Sequence, residues 1–283
     1  MILRYGIGLL VSVAACEQDA RQEPGQLPVV AVPVGPVAGV VRALVPDGAL
    51  EIVVLVPPGA NPATHEPSIR DLRSAATAQL YLEIGHPSFV FEQTWLEGML
   101  EGSSADRVRL FDRCPILAED PHAWLSTACL AGAAEAIADV LTELMPEYEE
   151  QIAGRLRVFR ERLGDAEASA ARRLAAYRGR RFFVLHPAWG YFARDHGLEQ
   201  VEILSHGAGD PGASRLAELI QTGREGGIRT VFVQPQFNPE PAELVAGALG
   251  AGVISLNPLG DDPVSILEET TAALETAFAE RDR

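Results

Sequence analysis

A single long helical segment divides this chain into two halves of similar pattern. It opens with Pro146, a residue that suits a first helical turn, and it runs to about Arg178. Four apolar residues recur at helical spacing and form one stripe along it: Ile152, Leu156, Phe159 and Leu163. At ~1.5 Å per residue the segment would be roughly 45 to 50 Å long, whereas a typical globular helix has only ~11 to 12 residues. This length predicts one rigid connection between two domains that move little against each other.

Short apolar runs alternate with helical patterns on both sides of this segment. In the first half, strands are predicted at 28–33, 51–56, 80–84 and 108–111, with helices at 37–44 and 69–76. In the second half, strands are predicted at 181–185, 201–204, 230–234 and 252–256, with helices at 215–222, 241–249 and 264–279. Because strands that alternate with helices form parallel βαβ units, the predicted fold class is α/β, with two lobes whose sheets are mainly parallel. The predicted boundaries are 27–144 for the N-terminal lobe, 145–178 for the connecting helix and 179–283 for the C-terminal lobe.

The first residues have the pattern of an export signal. A charged start at Arg4 is followed by an apolar run at 7–13 and by the sequence VAAC at 13–16. This pattern predicts a lipoprotein signal peptide at 1–15, a lipid on Cys16 and a polar tether at 16–26. No later apolar run of the sequence approaches the ~18 residues needed to span a bilayer. We therefore expect a periplasmic or other extracytoplasmic protein that is anchored to the membrane by lipid.

The net charge of −16 limits the partners of the chain. Nucleic acid is excluded, since phosphate binding needs a basic face. The acidity suits a protein that handles cations, although acidity more often only confers solubility. Apart from Cys16, the chain has Cys114 and Cys129, which in an exported protein can either form a disulfide or stay reduced.

Two short motifs each place a histidine where a strand or loop passes into a helix. They are DPHAWL at 120–125, which contains His122, and HPAWGYFA at 186–193, which begins with His186. Side chains at the carboxyl ends of parallel strands converge on a crevice, where α/β proteins bind ligands. Neutral imidazole is a preferred ligand of Zn²⁺. The two motifs therefore indicate a metal site.

Together with three further motifs, these sequences resemble the substrate-binding component of zinc and manganese ABC transporters, the ZnuA/TroA-like family of metal receptors. The further motifs are PPGANP at 57–62 leading to EP at 66–67, FVQPQF at 232–237 and LNPLG at 256–260. The resemblance covers nearly the whole chain after the tether. It implies a monomeric receptor that binds one divalent metal ion in the cleft between its lobes and passes it to a membrane permease.

The resemblance identifies two metal ligands directly. His122 matches the family's histidine in its Asp-Pro-His-x-Trp-Leu motif, and His186 matches the third ligand position. Manganese-type members have a carboxylate at that third position, whereas zinc-type members have histidine. Imidazole suits zinc and Mn²⁺ favours oxygen ligands, so the resemblance implies Zn²⁺ as the cargo in preference to Mn²⁺.

The first ligand position departs from the family pattern. The family has histidine where this chain has Ala63, and the nearest imidazole, His65, stands two residues later. In an extended segment His65 could point to the same side. The alternative is His86, which follows the predicted strand at 80–84 and so lies near the cleft. We favour His86, because a strand end can direct it into the cleft.

The fourth ligand position is also changed. The family's aspartate is replaced here by Asn257, and Gln234 stands where many members have glutamate. Three histidines and an amide would leave the double charge of the metal uncompensated, which is costly in a buried site. Hydroxide, chloride or a carboxylate such as Glu66 or Asp261 could supply the missing charge.

The other histidines and two tryptophans have simpler interpretations. We expect His196 at a helix end on the surface, and His206 in a glycine-rich loop that can line the cleft without binding metal. Trp124 and Trp189 are interpreted as packing residues at helix starts. No histidine lies between His86 and His122, so the histidine-rich loop of some zinc receptors is missing from this sequence.

The predicted function is capture of Zn²⁺ outside the cytoplasm and its delivery to an ABC permease. The alternatives are a manganese, iron or metal-chelate receptor of the same architecture, and a zinc-dependent hydrolase. Three histidines with an open fourth position also form catalytic zinc sites. The sequence has no His-Glu-x-x-His helix to provide a general base, so we expect binding and no catalysis.

Overall fold

The computed structural model describes residues 27–205 and 211–281. The first half contains four strands, β1 (Val29–Val32), β2 (Glu51–Val54), β3 (Leu80–Glu83) and β4 (Asp106–Arg109). Its helices are α1 (Gly35–Leu44), α2 (Ile69–Ala76), α3 (Val90–Met99) and α4 (Thr127–Leu144), with a 3-10 turn at Ala123–Leu125 before α4. The strands form one parallel sheet in the order β2-β1-β3-β4.

The second half repeats this arrangement. Its strands are β5 (Arg181–Val184), β6 (Glu199–Glu202), β7 (Thr230–Val233) and β8 (Gly252–Ser255). Its helices are α6 (Gly190–His196), α7 (Ala213–Gly226), α8 (Glu240–Leu249) and α9 (Pro263–Arg281). The sheet is again parallel, in the order β6-β5-β7-β8. The predicted α/β class with two parallel lobes is confirmed.

The connection between the lobes is helix α5 (Glu149–Leu174), which has 26 residues. At ~1.5 Å per residue it is about 39 Å long, and 3-10 turns at Pro146–Tyr148 and Ala175–Tyr177 extend it at both ends. Ile152, Phe159 and Leu163 of the predicted stripe are buried in the core. The long connecting helix is therefore confirmed.

Helix α9 packs against both α5 and α1, so the end of the chain returns to the first lobe. Arg162 and Arg173 of α5 form ion pairs with Asp262 and Glu275 at 2.6 and 2.7 Å. A Cβ at Gly39 of α1 would lie 1.8 Å from the carbonyl oxygen of Asp261, so only glycine allows this approach. The lobes are consequently joined by two helices rather than one.

Two strands and three helices differ from the sequence predictions. β4 and β6 each begin two residues earlier than predicted, and both are edge strands with charged side chains. The apolar residues that suggested β4 extend past its end, where Leu110 and Phe111 are buried. No bounds were predicted for helices α3, α4 and α6, although the motifs at 120–125 and 186–193 indicated that a helix follows each histidine. Nowhere in the described ranges is a helix both long and apolar enough to cross a membrane.

Candidate metal centre

The structure brings His122 and His186 together between the two lobes. His122 lies in the loop from β4 to α4, and His186 lies two residues beyond the end of β5. Their ring centroids are 5.4 Å apart and the ring planes meet at 75°. Both rings line a cavity of about 440 Å³ whose walls come from both lobes. The two histidines that the motifs singled out thus share one cavity.

The carboxylate of Asp120 orients His122. Oδ1 of Asp120 lies 2.7 Å from Nδ1 of His122 and also accepts a hydrogen bond of 2.9 Å from the His122 backbone N–H. A carboxylate can only accept, so Nδ1 carries the proton and Nε2 is the nitrogen suited to bind a metal. Because Asp120 is buried, solvent and salt screen its negative charge poorly from the imidazole beside it.

The same carboxylate also forms a hydrogen bond with the other lobe. Oδ2 of Asp120 accepts a hydrogen bond of 3.0 Å from the backbone N–H of Gly190, the first residue of α6. A Cβ at Gly190 would lie 2.4 Å from that oxygen, so glycine permits the contact. Asp120 was part of a motif in the sequence, but its two partners were not predicted. The only signal was its position two residues before His122.

The side chain of Gln234 holds the backbone of His186. Its Oε1 accepts from the His186 N–H at 3.1 Å, and its Nε2 donates to the His186 carbonyl at 2.6 Å. Gln234 is 1% exposed, so both hydrogen bonds are shielded from water. The ring of Phe237 stacks on the imidazole of His186, with centroids 4.6 Å apart. An amide is the group that can donate and accept here at the same time.

His86 is buried, and both of its ring nitrogens form hydrogen bonds. Nδ1 accepts from the Ser88 N–H at 3.0 Å, and Nε2 lies 3.0 Å from the carbonyl oxygen of Leu117, to which it donates. Burial lowers the pKa of His86, which favours the neutral ring. His86 is not among the residues that line the cavity.

His65 directly follows a segment that lines the cavity, although its own ring does not. The lining residues of this segment are Asn61, Pro62, Ala63 and Thr64. The imidazole of His65 stacks near Phe91, with centroids 6.2 Å apart. Its Nε2 is buried and has no hydrogen-bond partner within the described part of the chain.

Asn257 and the candidate carboxylates lie outside the cavity lining. Oδ1 of Asn257 accepts hydrogen bonds from Gln236 Nε2 at 2.7 Å and from the Leu259 N–H at 3.1 Å. Glu66 is exposed, and Asp261 is exposed and paired with Arg42 at 3.5 Å. Across residues 27–205 and 211–281, no group of three or more His, Cys, Asp or Glu side chains is placed to hold a metal ion. His206 and Cys16 lie outside the described residues.

The tryptophans are packing residues, as predicted. Trp124 is 1% exposed and donates from Nε1 to the carbonyl of Pro258 at 2.8 Å. Trp189 is equally buried and donates from Nε1 to Thr270 Oγ1 at 3.2 Å. Each indole therefore joins its motif to a segment near the C-terminus.

The prediction that His196 lies on the surface is wrong. It is the last residue of α6, as a helix end was expected, but its ring is buried. The ring packs on Phe192, with centroids 4.4 Å apart, and Nε2 lies 3.9 Å from a carboxylate oxygen of Glu167 in α5. The reason is that α6 packs against α5, so the end of this short helix is covered.

Residues 30–277 match the family model described as "ZnuA: Zinc-uptake complex component A periplasmic". The chain belongs to this family. The ZnuA high-affinity zinc uptake protein of Yersinia pestis is 27% identical to it over 255 residues, which are 78% of this chain and 80% of that protein.

Two solved ZnuA structures have the same fold. A crystal structure of ZnuA is 31% identical, with a TM-score of 0.83, and the match covers 89% of this chain and 99% of the other. A ZnuA deletion mutant, described as having zinc bound, is 30% identical, with a TM-score of 0.81 and coverage of 89% and 98%. This ZnuA-family member therefore has the full two-lobe architecture of its relatives.

Proposed function

We propose that this chain is an extracytoplasmic zinc receptor that captures Zn²⁺ between its lobes and delivers it to an ABC permease. The observation that carries the proposal is the pair formed by His122 and His186, two imidazoles from opposite lobes with centroids 5.4 Å apart in one cavity. The names of the ZnuA relatives, which describe zinc uptake and zinc binding, support the choice of cargo.

His122 and His186 supply two of the four ligands that a tetrahedral zinc site requires. The contacts favour His65 over His86 as the third ligand, which reverses the preference from the sequence. His86 would have to give up two hydrogen bonds of 3.0 Å to bind a metal. His65 has a buried nitrogen without a described partner, and the residue before it, Thr64, lines the cavity. Hydroxide or water would complete the shell, because Asn257 has to break its contact with Leu259 to contribute its oxygen.

Asp120 supports the charge balance of this site. The three proposed histidine ligands are neutral. The Asp120 carboxylate, however, is bonded to Nδ1 of His122, in the same ring as the nitrogen proposed to bind zinc. A buried carboxylate that accepts from a ligand histidine raises the basicity of the imidazole and places negative charge next to the cation. Asp120 therefore replaces part of the negative charge that the family's aspartate would provide where this chain has Asn257.

The cavity favours zinc over manganese. Two imidazoles line it, and no Asp or Glu is among its lining residues in the described ranges. Manganese prefers oxygen ligands, whereas zinc binds nitrogen well. Calcium and magnesium are disfavoured for the same reason.

The proposed mechanism is binding and release. Zinc bridges one imidazole from each lobe, and the permease separates the lobes to take the ion. No carboxylate lines the described cavity to act as a general base, so catalysis is not part of the proposal. We further propose that a lipid on Cys16 anchors the protein outside the cytoplasm and that it acts as a monomer.

Competition with a chromophoric zinc chelator at pH 7.5 tests this function. We expect the purified protein to take zinc from the chelator with a Kd below micromolar and to bind Mn²⁺ at least tenfold more weakly. Zinc should raise the melting temperature, since a ligand that binds only the native state stabilises it. Zinc binding no tighter than micromolar would contradict the proposal.

A further inference from the structure

A disulfide closes the loop that carries His122. Cys114 and Cys129 are bonded, with their Cα atoms 5.2 Å apart and a sequence separation of 15. Cys114 follows β4, and Cys129 lies in the first turn of α4. Both Asp120 and His122 lie inside the closed loop.

The C-terminal lobe docks on this loop through helix α6. Four hydrogen bonds join α6 to the loop or to its boundary: Gly190 N to Asp120 Oδ2 at 3.0 Å, Leu117 N to Tyr191 Oη at 3.0 Å, Arg194 Nη1 to Pro115 O at 3.1 Å, and Ser126 Oγ to Asp195 Oδ2 at 2.5 Å. Helix α6 begins four residues after His186. The closed loop is thus connected to both histidines of the cavity.

The loop has little regular structure of its own. Between Cys114 and Ser126 it contains one isolated bridge, Leu117 with Asp120, and the 3-10 turn after His122. Its carbonyls at Leu117 and Ala118 are held by the side chains of His86 and Ser88. A covalent link across a segment of this kind removes much of its conformational freedom.

We infer that the disulfide Cys114–Cys129 is the positioning element of the zinc site: it holds His122 at the distance from His186 that zinc requires, so its loss weakens zinc binding. This inference rests on the proposed function. Preorganised ligands bind a metal more tightly because less ordering is left to be done on binding. Without the link, the loop samples more conformations, and Asp120 keeps its contacts with His122 and Gly190 in a smaller fraction of them. The two imidazoles from opposite lobes are then less often at the separation that zinc requires.

A small thiol can reach this bond. Cys114 and Cys129 both line a second cavity, of about 640 Å³, together with Arg109, Arg113 and Arg194. A dithiol reductant would attack one sulfur as its thiolate; the cavity's guanidinium groups are offset by Asp112, Glu135 and Asp139, which line it as well. The protein would gain two electrons and two protons as the S–S bond breaks, and the reductant would become a disulfide. Reduction is therefore expected to promote zinc release.

The test compares zinc affinity with the bond present and absent. The double variant Cys114→Ser/Cys129→Ser is titrated with zinc against the chromophoric chelator, beside the oxidised wild type. The matched control is Leu141→Ala, which removes a buried side chain of α4 away from the loop. Melting temperatures without zinc show how far each variant is destabilised. As a second form of the test, the wild type is reduced with a soluble phosphine, which is oxidised to the phosphine oxide, and its two thiols are alkylated with iodoacetamide before titration, so that the bond cannot re-form.

We expect the double variant and the alkylated protein to bind zinc at least tenfold more weakly, while the control stays within threefold of wild type at a comparable loss of melting temperature. A weakening of less than tenfold in the folded variant overturns the inference, as does an equal loss in the control. Failure of both disulfide-free forms to fold also overturns it, because the bond then serves the whole fold. If the oxidised wild type does not bind zinc, the proposed function itself fails.

Discussion

Oδ1 of Asp120 and Nδ1 of His122 are 2.7 Å apart, and this contact determines which nitrogen of the histidine carries the proton. The other oxygen of the same carboxylate is bound to Gly190 in the opposite lobe. One side chain therefore sets the tautomer of His122, a proposed ligand, and also contacts the opposite lobe.

Replacing this carboxylate should weaken zinc binding. Asp120→Asn keeps an acceptor for Nδ1 but places an NH₂ group against the Gly190 N–H and removes the negative charge. We expect zinc affinity to fall about 10- to 100-fold, the usual effect of losing a partner of a ligand histidine. Chelator competition measures the loss. Asp112→Asn, in a more exposed carboxylate paired with Arg109, should leave the affinity unchanged.

The two cavity histidines should each be essential. His122→Ala and His186→Ala are expected to lower zinc affinity at least 100-fold and to abolish the rise in melting temperature that zinc causes, because each variant loses one ligand. The zinc-free melting temperature provides the control for folding. Retention of wild-type affinity in either variant would argue against a ligand role for that residue.

His65 and His86 should respond in opposite ways. His65→Ala is expected to weaken zinc binding at least tenfold with little change in stability, because its Nε2 makes no described hydrogen bond. His86→Ala is expected to leave Ser88 and Leu117 without their side-chain partner and to lower the free energy of unfolding by about 1–3 kcal/mol. Urea unfolding of the zinc-free proteins and chelator competition separate the two effects. The reverse pattern would restore His86 as the ligand.

Gln234 should not tolerate a carboxylate. Gln234→Glu removes the donor to the His186 carbonyl and places a carboxylate in a buried site. We expect the free energy of unfolding to fall by about 1–3 kcal/mol from the unsatisfied carbonyl alone, together with weaker zinc binding. Gln151→Glu is the control, since Gln151 lies exposed on α5. A variant as stable as wild type would show that the two hydrogen bonds contribute little.

Glu92 should make stability depend on pH. Burial raises its pKa from 4.5 to about 7, although the N–H groups of Ile84 and Gly85 lower it. The folded state therefore binds more protons than the unfolded state between these values, so the contribution of Glu92 to stability falls as pH rises from about 4.5 to 7. Urea unfolding of zinc-free protein across this range measures the slope. Glu92→Gln should remove that part of the slope, whereas the exposed Glu97→Gln on the same helix should keep it.

The central strands were predictable because their residues are apolar on both faces. β1 and β7 are buried throughout, and all their residues except Thr230 are apolar. The predicted bounds of the edge strands β4 and β6 began two residues too late. Their first residues include charged side chains, which are tolerated where one side of a strand has no neighbour but do not resemble a buried strand in the sequence. The burial of His196 could not be predicted, because it depends on how α6 meets α5 and not on the local pattern.

The two-lobe α/β architecture, the long connecting helix and the pair His122 and His186 could be read from periodicity and short motifs, because these are local properties. Folding is needed to show that α9 returns to the first lobe and that Cys114 and Cys129 meet. It is also needed to show that His86 uses both nitrogens, while Nε2 of His65 has no partner in the described ranges. These features depend on contacts between residues far apart in the chain. Which nitrogen of a histidine faces a ligand depends on the partner of the other nitrogen, and that partner is known only once the chain is folded.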